Sequence, residues 1–329
     1  MTIPQNNQHQ PRMIRQPMGS TSIFKRRTVS EIRLAPFLII LAAVCWGTIG
    51  IFTRELQAAG FTSVQITAAR CAVTALCLVM GLLFTDRDKL KIVPKDIWMF
   101  IGTGLLSIVF FNICYFTSIQ YLTLSMASVL LYTAPFFVML MSLFLFHEKM
   151  TIQKGIALIL AFSGCVLTAG IVGDQINSIT EIGILIGLGS GFGYALYTIF
   201  GRVALKKYHP ITITTYTFLI AAIGILPFCD VGNMVQLSLG NTGILPYILI
   251  LSIVCTVLPY FLYTKGLKHV EGGKASVMAF VEPMVATLIG IFLFHEQMTL
   301  LNMTGVVLIF AAIVLLNSRT RSSAPPDTS

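Results

Sequence analysis

A stretch of 25 residues, Ala127 to Thr151 (ASVLLYTAPFFVMLMSLFLFHEKMT), returns 148 residues later as Ala275 to Thr299 (ASVMAFVEPMVATLIGIFLFHEQMT), and twelve of the aligned positions are identical. The identities include the opening Ala-Ser-Val, a central proline (Pro135 and Pro283) and the closing Phe-Leu-Phe-His-Glu-x-Met-Thr block. At the same shift Trp46 to Arg54 (WGTIGIFTR) aligns with Tyr194 to Arg202 (YALYTIFGR), and Tyr115 aligns with Tyr263. A gapless match of this length within one chain is an internal duplication, so the chain has to fold as two copies of one unit.

The medium of that fold follows from composition. Of 329 residues, 56% are hydrophobic and only 11% charged, with a mean hydropathy of +0.84, whereas soluble domains carry about 25% charged residues. Ten apolar runs of membrane-spanning length are expected at about 35–53, 63–85, 97–118, 125–146, 152–171, 182–201, 211–229, 243–264, 274–294 and 300–317. The runs are continuous and do not alternate apolar with polar residues, which argues against a transmembrane β-barrel. The seven cysteines (Cys45, Cys71, Cys77, Cys114, Cys165, Cys229, Cys255) lie in or beside these runs without CxxC spacing, as small packing residues. The net charge of +9 is spread between apolar runs, so it points to membrane topology and away from a nucleic-acid partner.

Topology can be read from that charge. With residues 1–34 as an uncleaved, disordered cytoplasmic tail, 20 of the 22 Lys and Arg residues fall on the inner side, against Arg54 outside and Arg70 within a span. Adding or removing one span would destroy this bias. The expected organisation is therefore an all-α integral membrane protein of ten transmembrane helices in the cytoplasmic membrane. It comprises a first five-helix repeat over 35–171, a second over 182–317, and a second cytoplasmic tail over 318–329. Five is odd, so the second copy enters the membrane in the opposite orientation. Inverted-topology repeats are a construction used by many secondary transporters, with the substrate site near midplane between the repeats.

The five-plus-five arrangement, the duplicated Ala-Ser-x-x-x-x-x-x-Pro spans ending in Phe-Leu-Phe-His-Glu, and the aromatic-rich first span of each half resemble the drug/metabolite transporter superfamily, specifically its EamA-type members. The resemblance covers about residues 35 to 317. It implies a secondary carrier of small metabolites, often an exporter of amino acids or related compounds. It further implies a central cavity between spans one to four and six to nine, with spans five and ten peripheral.

Within the spans, positions that differ between copies are the ones open to specialisation. Next to the shared prolines the chain reads Thr133-Ala134-Pro135 in one copy and Val281-Glu282-Pro283 in the other. Glu282 is the sharpest candidate, because an ionisable residue at midplane faces the bundle interior or a water-filled cavity. It could bind a substrate ammonium, exchange a proton, or pair structurally. Arg70, whose counterpart is Phe218, could clamp a carboxylate, pair with Glu282 or snorkel. Pro135 and Pro283 each remove a helical hydrogen bond and are expected to kink a cavity-lining span. Trp46, Asn112, Tyr115, Tyr132, Tyr194, Tyr197, Tyr260 and Tyr263, with Ser128 and Ser276, supply aromatic faces and polar tips for an amphipathic substrate. As repeat-related pairs, Trp46 with Tyr194 and Tyr115 with Tyr263 could face each other across the pseudo-two-fold axis.

The His147-Glu148 and His295-Glu296 steps read as helix terminators, with Thr151 and Thr299 starting the next helices; no third ligand at protease spacing suggests zinc. The glycines of span six (Gly183, Gly187, Gly189, Gly191, Gly193) follow no strand and precede no P-loop lysine, so they permit close helix contact and do not form a nucleotide loop. No nucleophile–base constellation is visible, so the expectation is a non-enzyme without cofactor or metal, whose partners are a small-molecule substrate and the lipid bilayer. A membrane-embedded enzyme, a lipid-modifying protein and a non-transporting scaffold are the competing classes, and proton coupling and a homodimer remain open.

Overall fold

The computed structural model describes residues 20–170 and 180–318, with side chains described from Glu31 onward. Residues 1–19 and 319–329, most of the two expected tails, lie outside it, as does residue 171 at the end of the first repeat. Residues 20–34 differ from the expected disordered tail: they form one helix with the apolar run that follows, Ser20–Gly47. The described residues form helices and no strands, as an all-α bundle of two five-helix repeats requires.

Among the described residues nine helices are long and apolar enough to span a membrane, including Ser63–Thr85, Pro94–Ser118, Leu124–Phe146, Glu181–Ala204, Thr242–Leu267 and Gly272–Phe294. The fifth, Ile152–Thr168, has 17 residues, at the lower limit for a span. It ends early because Gly170 adopts a left-handed conformation at φ 64°. Side-chain caps set several starts. Thr62 and Thr299 each close a capping box, and Thr123, Thr151 and Thr180 accept backbone N–H groups at the fourth, fifth and sixth spans. Each such cap contributes about 1 kcal/mol.

Ten crossings return the chain to the face it started from. The face where it enters at Glu31 and leaves at Asn317 is the near face, and the opposite one the far face.

Several spans are broken, and the breaks respect the duplication. The fourth divides into Leu124–Leu131 and Ala134–Phe146, the ninth into Gly272–Met278 and Val281–Phe294. The breaks fall two to four residues before Pro135 and Pro283, where each proline removes a donor and frees a carbonyl one turn back. The third and eighth spans carry widened π turns at Gly102–Val109 and Ile253–Val257, which overlap once the 148-residue shift is applied. In the first span the break is at Thr48, whose hydroxyl bonds back to the Cys45 carbonyl at 2.7 Å.

The two repeats interlock. The first span docks on the eighth and ninth, and its counterpart, the sixth, docks on the third and fourth. Glycine makes both approaches close enough. A Cβ at Gly191 would lie 2.4 Å from Thr133 Oγ1 and 2.7 Å from the Leu130 carbonyl, against the broken backbone of the fourth span. A Cβ at Gly47 would lie 2.9 Å from the Glu282 carbonyl oxygen. Spans five and ten pack mainly on each other, with Gly164 and Gly305 backbone to backbone.

Candidate functional site

The breaks in spans four and nine face the two first spans of the repeats, and a small cavity opens between them. Its wall takes Trp46 from span one, Ala134, Pro135 and Val138 from span four, and Tyr194, Tyr197 and Thr198 from span six. Tyr260 and Tyr263 of span eight and Ser276 and Ala279 of span nine complete it. Small side chains at 134, 195 and 279 make the room, because an alanine beside a helix break fills little of the space that the kink creates.

Aromatic rings line one side. Trp46 packs on Tyr260 and Tyr263 with centroids 5.2 and 5.4 Å apart, and Tyr197 lies 5.1 Å from Tyr260. Their hydroxyls are held from behind, Tyr197 by Thr264 at 2.7 Å and Tyr263 by Thr198 at 2.8 Å. The Trp46 Nε1 hydrogen is different: it is buried and has no partner. An unpaired donor in a cavity wall is costly unless something else in the cavity accepts from it.

Glu282 sits two residues beyond the break in span nine. Tyr194 donates its hydroxyl to Glu282 Oε2 at 3.4 Å. Tyr132 and Tyr194 are half-buried, as is Glu282. The carboxylate is thus oriented by the Tyr194 phenol and still open to a small molecule or a proton.

The other sequence candidates divide clearly. Trp46, Tyr194, Tyr197, Tyr260, Tyr263 and Pro135 share the cavity, while Glu282 is joined to it through Tyr194 and Tyr132 is half-buried outside its wall. Asn112 is buried away from it, donating to the Ile108 carbonyl at 2.7 Å and accepting from Thr67 at 3.4 Å, which ties span three to span two. Tyr115 shares a hydrogen bond with Ser128 at 2.9 Å and packs on Phe116. Arg70 is 8% exposed, its Nε has no partner, and no ion pair joins it to Glu282. Pro283 is buried outside the cavity wall. Neither repeat-related pair stacks across the axis: Tyr194 packs on Phe111, and Tyr115 meets none of the Tyr263 contacts.

One feature was read only in part. His147 and His295 do terminate their helices, both in the left-handed region at φ 54° and 55°. Glu148, however, reaches across the bundle, accepting from the backbone N–H groups of Gly272 at 2.8 Å and Gly273 at 3.3 Å. It also pairs with Arg202, and Lys154 pairs with Glu271 beside it. The signal was in the repeat: the opposite charges Arg54 and Glu148, at one shift, become Arg202 and Glu296.

This architecture, ten apolar helices in two inverted five-helix units around a cavity between them, defines a duplicated multi-pass membrane protein of the transporter type. Residues 33–170 and 181–318 each match the EamA-like transporter family. The chain belongs to that family, within the drug/metabolite transporter superfamily, and is a membrane transporter. It is 30% identical over 280 residues to an uncharacterized transporter of Archaeoglobus fulgidus, covering 84% of this chain and 94% of that one. It is 26% identical to the uncharacterized transporter YxxF of Bacillus subtilis, covering 87% of this chain and 90% of the relative. A solved crystal structure superimposes with a TM-score of 0.70 at 15% identity, covering 86% of this chain and 97% of the other, which is a likeness of fold.

Proposed function

We propose that the protein is a secondary transporter moving a small metabolite through this cavity by alternating access between its two inverted halves. We place it in the cytoplasmic membrane with the near face and both termini in the cytoplasm, working as an exporter of an amino acid or a related compound. The observation that carries this reading is the wall between the repeats, where an unpaired donor, Trp46 Nε1, stands in one cavity with aromatic faces and Tyr194, the phenol that orients Glu282. Such a wall suits a substrate with an acceptor such as a carboxylate, an apolar body and an ammonium. The acceptor meets the indole N–H, the body meets the rings, and the ammonium meets Glu282, whose charge would be costly to bury without a partner. Glu282 is also the group through which an inward proton could be exchanged for the substrate. Arg70, buried without an ion-pair partner, is a positive group available to a substrate carboxylate on its way through.

The test is flux of labelled amino acids and related amphipathic metabolites in proteoliposomes, with and without an imposed proton gradient. Gradient-driven movement that Glu282→Gln lowers at least tenfold, in protein that still inserts and folds, is the expected result. Absence of flux for every class tried, or full pH-dependent flux in the variant, would overturn the reading or remove Glu282 from it, respectively.

A further inference from the structure

The 148-residue shift converts each charged group on one face into its counterpart on the other, so the two mouths of the bundle can be compared residue by residue. On the near face Glu148 and Arg202 pair with side chains 8% and 22% exposed. The Glu148 carboxylate also holds the first two N–H groups of span nine, whose own leading residue, Glu271, provides no side-chain cap. Gly272 and Gly273 are buried there, packed on Ser142 and Met139; a Cβ at Gly272 would lie 3.0 Å from Ser142 Oγ and 3.3 Å from Arg202 Cδ.

The far face has the same parts in a different arrangement. Glu296 and Arg54 lie 3.6 Å apart with side chains 57% and 54% exposed. The Glu296 carboxylate folds back on its own span, where a Cβ at Gly290 would meet its Oε2 at 2.5 Å. The groups equivalent to the N–H donors of Gly272 and Gly273 belong to Leu124 and Ser125. Their span starts at Thr123, whose hydroxyl takes only the Met126 N–H, and Leu124 is 61% exposed. The guanidinium–aromatic contact is present on both faces, Arg202 over Phe146 at 4.6 Å and Arg54 over Phe294 at 4.1 Å. Both pairs are therefore preassembled, and only one is latched.

We infer that Glu148–Arg202 and Glu296–Arg54 are alternate latches of the two mouths. In the state seen here Glu148 closes the near mouth on the start of span nine. In the opposite state it lets go, and Glu296 takes the Leu124 and Ser125 N–H groups at the start of span four. This rests on the alternating-access reading and assigns the residues that set its balance. A carboxylate that bonds two backbone donors in one state only stabilises that state alone, which is the requirement for shifting a population.

The experiment uses the full chain with its native cysteines replaced by alanine and a single Ser276→Cys reporter in the cavity wall, labelled by a membrane-impermeant maleimide from either face of oriented vesicles. The parent labels mainly from the far face, with a smaller near-face component. Glu148→Gln raises near-face labelling about tenfold, Glu296→Gln lowers it by a comparable factor, and the double variant returns to within about threefold of the parent. A purely structural Glu148 would lower stability without this reciprocal pattern. Gly272→Leu, which obstructs closure with Glu148 intact, is the second variant should Glu148→Gln misfold, and it shifts labelling in the same direction. A parent labelled from both faces with unshifted variants overturns the latches and leaves alternating access standing. Labelling from one face only in every protein overturns alternating access and the latches with it.

Discussion

The near and far mouths of this bundle are built from one sequence used twice, yet they differ in burial, packing and bonding. At the near mouth a carboxylate from span four completes the helix start of span nine, and four charged side chains are gathered there. At the far mouth the matching carboxylate stands in solvent beside its arginine. The difference teaches that sequence symmetry constrains which contacts can form and leaves open which of them are formed at one time. A pair with a retained counterpart need not be scaffolding, since repetition across a membrane is also how two states of one mechanism are encoded.

Substitutions at the interlock between the repeats should have the largest effect. Gly191→Leu forces a side chain into Thr133 and the Leu130 carbonyl. It should cost about 3 kcal/mol or more and abolish monodisperse protein in detergent, since overpacking against backbone finds no relief. Gly81→Ala, with open space around its Cβ, should be neutral or stabilising by up to about 1 kcal/mol. Equal effects at the two positions would show that the interlock is looser than its distances.

Next in size is the contrast between the mouths themselves. Glu148→Gln leaves the half-buried Arg202 and two backbone donors short of a counter-charge and should lower the unfolding free energy by about 2 kcal/mol. Glu296→Gln, at an exposed pair, should change it by less than about 1 kcal/mol. Thermal unfolding of the two variants side by side measures this. Equal losses would mean that the far pair is also engaged.

The smallest effect belongs to a near-face network in which Lys207 and Tyr208, just past the sixth span, meet Asp96 at the start of the third. Lys207 donates to Asp96 at 2.7 Å and Tyr208 donates to the other carboxylate oxygen at 2.8 Å. The hydrogen bond to Asp96 raises the Lys207 pKa, and burial raises that of Tyr208. Both groups hold their protons more tightly in the folded chain. Their stabilisation is therefore complete below the unfolded values, about 10.4 for lysine and 10 for tyrosine, and is lost as pH rises through the folded ones. The melting temperature should hold to about pH 10 and decline above it, with a shallower decline in Lys207→Met.

Much of this fold is legible in the chain. The repeat and the charge map together place ten spans, and the prolines foretell the breaks at residues 132–133 and 279–280. The Thr48 break and the π turns were not foreseen, because a hydroxyl bonding back to its own helix and a widened turn leave no compositional trace. The aromatic wall was legible as a set. Asn112 and Tyr115 were not separable from it, because side chains at span depth differ only in which neighbour they meet. The reach of Glu148 to Gly272 crosses 124 residues and could be recognised only once the spans had been assembled.

The turn that ends spans four and nine has a further consequence. His147 and His295 adopt the same left-handed conformation, φ/ψ 54°/34° and 55°/32°, although one precedes a carboxylate that bonds across the bundle and the other a carboxylate paired only with its arginine. The backbone at that corner is thus indifferent to engagement, and under the proposed latching Glu148 and Glu296 would act as pawls on rigid arms. The proposed exchange between the two arrangements then requires a displacement of whole helices relative to each other, with the corner carried along unchanged.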